Sequence, residues 1–221
     1  MAVRKSTPVA ACYLIVLCLA TNSMAQGPLP SLESSSLAQG PCAYMHMLLQ
    51  KTFLRINVAT IEVRVDTPTQ TRLAALASGK PYSDGLAEEL AHVTIGAARA
   101  VVQMKFKRDV SLSRWMDVVR ENLEQARKAG LIDKGLEQKV GQSLPDSFSA
   151  LKSRGYEKND RLVYEVGPDY LRTAVVSAGG QALLDRVDRD PGVRKVVLAS
   201  YFAAGSDFRE PLLRSLFDNN H

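Results

Sequence analysis

Residues 161–185, RLVYEVGPDYLRTAVVSAGGQALLD, decide the fold class. Leu162, Tyr164 and Val166 alternate with mostly polar neighbours, Gly167-Pro168-Asp169 turns the chain, and Leu171 to Val176 runs back. Gly179-Gly180 then turns it again into Gln181 to Asp185. A period of two broken by tight turns predicts three short antiparallel strands. Parallel strands would need long crossovers between them, and there is no room for any here.

Helices flank this unit on both sides. After it, Asp190 can cap a helix that has Pro191 at its first position and runs to about Ala203, and Ser206 can cap another ending near Phe217. Before it, Leu112, Trp115, Met116, Val119, Leu123 and Ala126 recur at helical spacing after Asp109 or Ser111, and Gly130 stands where a C-terminal glycine belongs. A further helix holds Leu136 and Val140, and Pro145 is expected to interrupt it before Phe148 and Leu151. Val101 to Arg108 reads as a strand with Val102, Met104 and Phe106 inward. Leu73, Leu76, Leu86 and Leu90 suggest two short helices separated by Gly79, Pro81 and Gly85. Earlier still, Leu54, Ile56 and Val58 alternate on one parity and Ile61, Val63 and Val65 on the other, which predicts a strand with a bulge near Ala59 and Thr60. Strands, helices, strands and helices in that order predict an α+β domain whose antiparallel sheet is covered on one face.

The first 25 residues carry a different signal. Arg4 and Lys5 precede an apolar stretch from Val9 to Ala20, and Ser23-Met24-Ala25 offers small residues for cleavage. That order predicts a signal peptide, so the mature chain would start near Gln26 and lie in a periplasm or be secreted. An uncleaved N-terminal anchor is the competing reading, and Leu17 before Cys18 disfavours lipidation. No later segment is long and apolar enough to predict a membrane span after cleavage. Residues 26–43 contain Pro28, Pro30, three consecutive serines and Gly40, a composition that predicts a flexible leader before a domain at 44–221.

Only Cys42 survives in the mature chain, so no intrachain disulfide is available to it. Losing Arg4 and Lys5 lowers the formal charge from +5 to about +3, with the signs interspersed. No basic block argues for nucleic acid. The chain has no phosphate-binding loop, no dinucleotide fingerprint, no H-E-x-x-H and no G-x-S-x-G, and His46, His92 and His221 are widely scattered. No metal and no cofactor is expected, and no feature sets an oligomeric state. Two polar residues fall on apolar helix faces: Asn122, seven residues after Trp115, and Ser200, beside Val193, Val196 and Val197. Such groups bond to backbone or water, or line a pocket.

The blocks Phe53-Leu54-Arg55-Ile56-Asn57-Val58 and Met104-Lys105-Phe106-Lys107-Arg108-Asp109-Val110-Ser111 carry a resemblance, as do Arg154-Gly155-Tyr156-Glu157-Lys158-Asn159-Asp160-Arg161-Leu162, Leu198-Ala199-Ser200-Tyr201-Phe202 and Phe208-Arg209. Over roughly Lys51 to Phe217 the chain resembles the bacterial exported chalcone isomerase-like proteins. The resemblance implies an open-faced β-sandwich, a large antiparallel sheet with helices layered on one face and a cleft between them. Plant enzymes of the family are isomerases of the intramolecular lyase type, closing chalcones to flavanones, while related proteins bind fatty acids. By the resemblance, the family's strand threonine falls at Asn57, its helix tyrosine at Trp115, its asparagine at Asn122 and its late hydroxyl at Ser200. The family's early arginine has no counterpart, because Cys42 to Gln50 contains no arginine or lysine. Ring closure needs stabilisation of charge developing on the carbonyl oxygen, which a guanidinium would supply. Arg55, two residues from Asn57 on a strand, is the candidate substitute.

The expectation is therefore a protein that binds an apolar or amphipathic small molecule, a fatty acid or a phenolic, through Asn57, Trp115, Asn122 and Ser200. The alternative is an isomerase using Arg55, Asn57, Asn122 and Ser200. A third class, an interaction protein, would have a filled cleft.

Overall fold

The computed structural model describes residues 27–51 and 56–218. The signal peptide at Met1 to Ala25, Phe53 to Arg55 of the first strand block, and His221 lie outside the described residues. Among the described residues six strands form one sheet in the order of the chain: β1 (Tyr44–Lys51), β2 (Ile56–Val65), β3 (Ala100–Phe106), β4 (Arg161–Val166), β5 (Leu171–Val176) and β6 (Ala182–Asp188). Every neighbouring pair is antiparallel. The described residues also form six α-helices: α1 (Thr67–Ala77), α2 (Asp84–Ile95), α3 (Leu112–Lys128), α4 (Lys134–Ser147), α5 (Pro191–Phe202) and α6 (Arg209–Asp218).

The strand register decides which side chains meet the helices. Ile61, Met104, Leu162, Val175 and Leu184 stand opposite one another in one row, and Val63, Val102, Tyr164, Thr173 and Arg186 form the next. These rows face the helical layer, where Ile61, Val63, Val102, Leu162 and Val175 are fully buried. The phase change in β2 is a bulge, one residue earlier than the pattern suggests. Leu49 pairs with Ala59 and Gln50 with Asn57, which leaves Val58 as the extra residue.

Helix starts follow capping chemistry. Ser111 accepts from the Arg114 amide at α3, and Asp190 accepts from the Gly192 amide at α5 with Pro191 at the first position. Asp66 does more: one carboxylate oxygen caps α1 through the Thr69 amide at 2.9 Å, and the other takes the Arg99 amide at 2.7 Å, tying α1 to the approach of β3. Gly130 closes α3 at φ +71°.

Three expectations need correction. Pro145 does not end α4, which continues to Ser147 before a 3₁₀ turn at Ser149–Leu151, because a proline in the last turn forfeits a single helical hydrogen bond. Strand β6 runs three residues past Asp185, and its charged residues there broke the alternation that would have shown it. Residues 27–43 do not hang free. Leu37 is buried against Val101 and Val163 on the sheet face away from the helices, and the Ala38 amide donates to the Val65 carbonyl. Arg64 donates to the Leu32 carbonyl, and Arg172 to those of Pro28 and Gly27. Two guanidiniums thus satisfy a segment whose composition alone offers little to bury.

Gly155 occupies a position that only glycine suits. It has φ +67°, and an added Cβ would lie 2.6 Å from the Val110 carbonyl oxygen, in the bridge where Val110 and Tyr156 exchange both backbone hydrogen bonds. Gly155→Ala is expected to destabilise the domain by about 2 kcal/mol or more, read as a lower urea midpoint at unchanged slope.

Candidate ligand-binding site

Between the sheet and helices α3, α4 and α5 lies a cavity of about 590 Å³. Met104, Phe106 and Tyr164 form part of its floor, and Trp115, Val119 and Val197 part of its roof. Its walls are made chiefly by apolar groups, while Arg108, Arg114 and Lys139 stand among its lining residues as exposed charges. Size and lining are those of a small-molecule site. A cleft filled by its own side chains, as expected for a pure interaction protein, would leave no such space.

One wall is an aromatic stack. The Phe106 and Tyr156 rings lie 4.2 Å apart and nearly parallel, and Trp115 packs on Tyr156 at 5.4 Å and on Phe148 at 4.5 Å. The bulge at Val58 brings that side chain into the lining as well. Trp115 therefore serves as apolar wall, in keeping with an indole's single donor and lack of an acceptor.

The sequence candidates separate. Trp115, Asn122 and Ser200 all line the cavity. Asn122 is nevertheless committed on both sides of its amide: the nitrogen donates to the Val118 carbonyl at 2.9 Å, and the oxygen accepts from the Ser206 hydroxyl at 2.9 Å. Ser206 also accepts from the Phe208 amide near the start of α6, so Asn122 joins α3 to that turn. The Ser200 hydroxyl donates to its own helix at the Val197 carbonyl, 2.8 Å away, which leaves its oxygen able to accept. Asn57 is not brought to the cavity. It is exposed, and its side-chain oxygen accepts from Gln50 at 2.8 Å. The bulge at Val58 is the reason, since it changes which face the strand presents on either side of it. Arg55 lies outside the described residues.

Sequence reasoning missed most of the polar groups that reach the space. Tyr164, Thr173 and Tyr201 line it, and their hydroxyls have no hydrogen-bond partner among the described residues. Burial holds the Tyr164 and Tyr201 phenols well above their ordinary range, so both are neutral donors at any physiological pH. Tyr156 differs, because its unpartnered hydroxyl is sealed within the protein. Arg186 and Asp188 come from the end of β6. Alternation had marked Tyr164 as inward, but nothing local marked Arg186.

No protein-family model matches the chain, and no curated protein matches it in sequence. Among solved structures it is similar to a fatty-acid binding protein of Arabidopsis thaliana, with a TM-score of 0.57 over 86% of this chain and 91% of that one, at 13% identity. The fold is chalcone isomerase-like. At that identity the likeness carries the fold, an open antiparallel sheet with helices on one face, and the chalcone isomerase-like frame accounts for where the cavity sits. Among the described residues no helix is long and apolar enough to cross a membrane.

Proposed function

We propose that this protein is a binding module for an apolar or amphipathic small molecule, of which a fatty acid is the leading class. The observation that carries this is the apolar cavity of about 590 Å³ between sheet and helices. A second support is the structural neighbour, which is itself a fatty-acid binding protein. Shape agrees as well. From Arg186 to Phe106 the floor spans three strand spacings and four residues along the strands, about 20 Å on the diagonal, suited to an extended acyl chain.

Ring closure of a chalcone receives less support. The amide at the family's asparagine position is spent on Val118 and Ser206, and the residue at its threonine position, Asn57, is exposed on the strand. Purified protein is expected to leave the enone absorbance of 2′-hydroxychalcone decaying at the buffer rate, and to bind dodecanoate in native mass spectrometry. Accelerated decay, or no ligand bound, would count against the binding reading. Export belongs to the same proposal and rests on the Arg4-Lys5, apolar and Ser23-Met24-Ala25 series. N-terminal sequencing of protein recovered from a secreting host is expected to begin at Gln26.

A further inference from the structure

Tyr164, Thr173 and Arg186 are direct cross-strand partners on β4, β5 and β6, and all three line the cavity. Neighbours of this kind have Cβ atoms about 5 Å apart, so their polar ends converge on one patch of the floor. Tyr201 of α5 lines the same cavity from the helical side. The Arg186 guanidinium is held by two contacts, one to the Ser147 hydroxyl of α4 and one to Asp188 at a long 3.4 Å. A guanidinium has five N–H groups, so most of its donors remain for another acceptor. Asp188 is itself partly engaged, accepting from the Asp190 amide at 2.8 Å.

Resting on the cavity reading above, we infer that Arg186, with the hydroxyls of Tyr164 and Thr173, is a subsite for the carboxylate of an amphipathic ligand whose tail runs toward Phe106 and Trp115. The cation thus comes from the last strand of the sheet, whereas Cys42 to Gln50, most of the first strand, contains no arginine or lysine. A planar guanidinium takes a carboxylate in two parallel hydrogen bonds, and neutral hydroxyls on the adjoining strands complete its shell. Charge on the patch is balanced by Asp188, and the neighbouring Lys139–Asp190 pair adds none. Asp188 therefore competes with the ligand for Arg186. Arg108 and Arg114 also belong to the lining, but both are exposed, and water weakens what they can offer an anion.

The test is displacement of the neutral probe N-phenylnaphthylamine by dodecanoate and by dodecanol, two ligands with one tail and different heads. The wild-type protein is expected to prefer the carboxylate. Arg186→Gln should lower dodecanoate affinity about tenfold to a hundredfold while leaving dodecanol within about twofold. Arg186→Lys should restore part of the preference, and Asp188→Asn should increase it. Melting curves of each variant report whether the fold survives. Equal affinity of the wild type for both ligands overturns the carboxylate subsite and leaves the cavity reading standing, whereas displacement by neither overturns both. A preference that persists in Arg186→Gln, or that disappears in Arg108→Gln/Arg114→Gln instead, also overturns it.

Discussion

Ser200→Trp is expected to reduce the affinity for a long-chain ligand by about a hundredfold while the protein stays folded. Ser200 lies in α5 with its side chain on the cavity, and it is almost fully buried. A large side chain there has empty space to enter, so the overpacking penalty that a filled core would impose is largely avoided. The ligand bears the loss instead. Each buried methylene is worth about 0.8 kcal/mol, so excluding three or four of them from the cavity removes about 3 kcal/mol, close to two orders of magnitude in Kd. Titration of the same fluorescent probe and of dodecanoate measures it, with thermal unfolding as the control. Undiminished affinity would mean that the ligand lies elsewhere.

The second large effect concerns stability. Asp160→Ala is expected to cost about 2–4 kcal/mol, a substantial part of the total stability of a domain of this size. Asp160 is 1% exposed and serves three donors at once: Arg154 Nη1 at 2.8 Å, the Glu157 amide at 2.9 Å and the Ala178 amide at 3.1 Å. It joins the loop before β4 to the turn between β5 and β6, and its own carbonyl accepts from the Phe106 amide. Removal strands two backbone donors, while Arg154 keeps its pair with Glu157 at 2.7 Å. Asp160→Asn keeps an acceptor at similar volume and should cost about half as much. Urea denaturation of the two variants, compared at a common slope, separates these cases. Because Tyr156 sits in the loop that Asp160 pins and stacks on Phe106 and Trp115, the alanine variant should also loosen the cavity wall and weaken ligand binding.

These two residues were unequally legible. Ser200 could be singled out because it interrupts an apolar helix face, and such an interruption is visible wherever the period is known. Asp160 stood in a recognisable block together with two of its partners, Arg154 and Glu157, yet nothing near it announces the third, the Ala178 amide in the turn after β5. Asn122 falls between the two cases. Its place beside Trp115 on the inner stripe of α3 was readable, but its engagement with Ser206, 84 residues away, was not.

The amino-acid sequence by itself determined most of the elements, β1 excepted, and their arrangement in an antiparallel layer under helices. Alternation at 161–185, the helical spacing from Leu112 to Ala126 and the caps at Ser111 and Asp190 are local, and local steric and hydrogen-bonding preferences suffice to express them. Only the tertiary structure decided what the cavity contains. The Val58 bulge removes Asn57 from the lining, while the register that sets Tyr164 opposite Thr173, and Thr173 opposite Arg186, assembles a polar row from three strands. Register depends on how whole strands settle against the core, so a guanidinium absent from the early strand could be supplied from the last one with no trace in its neighbouring residues.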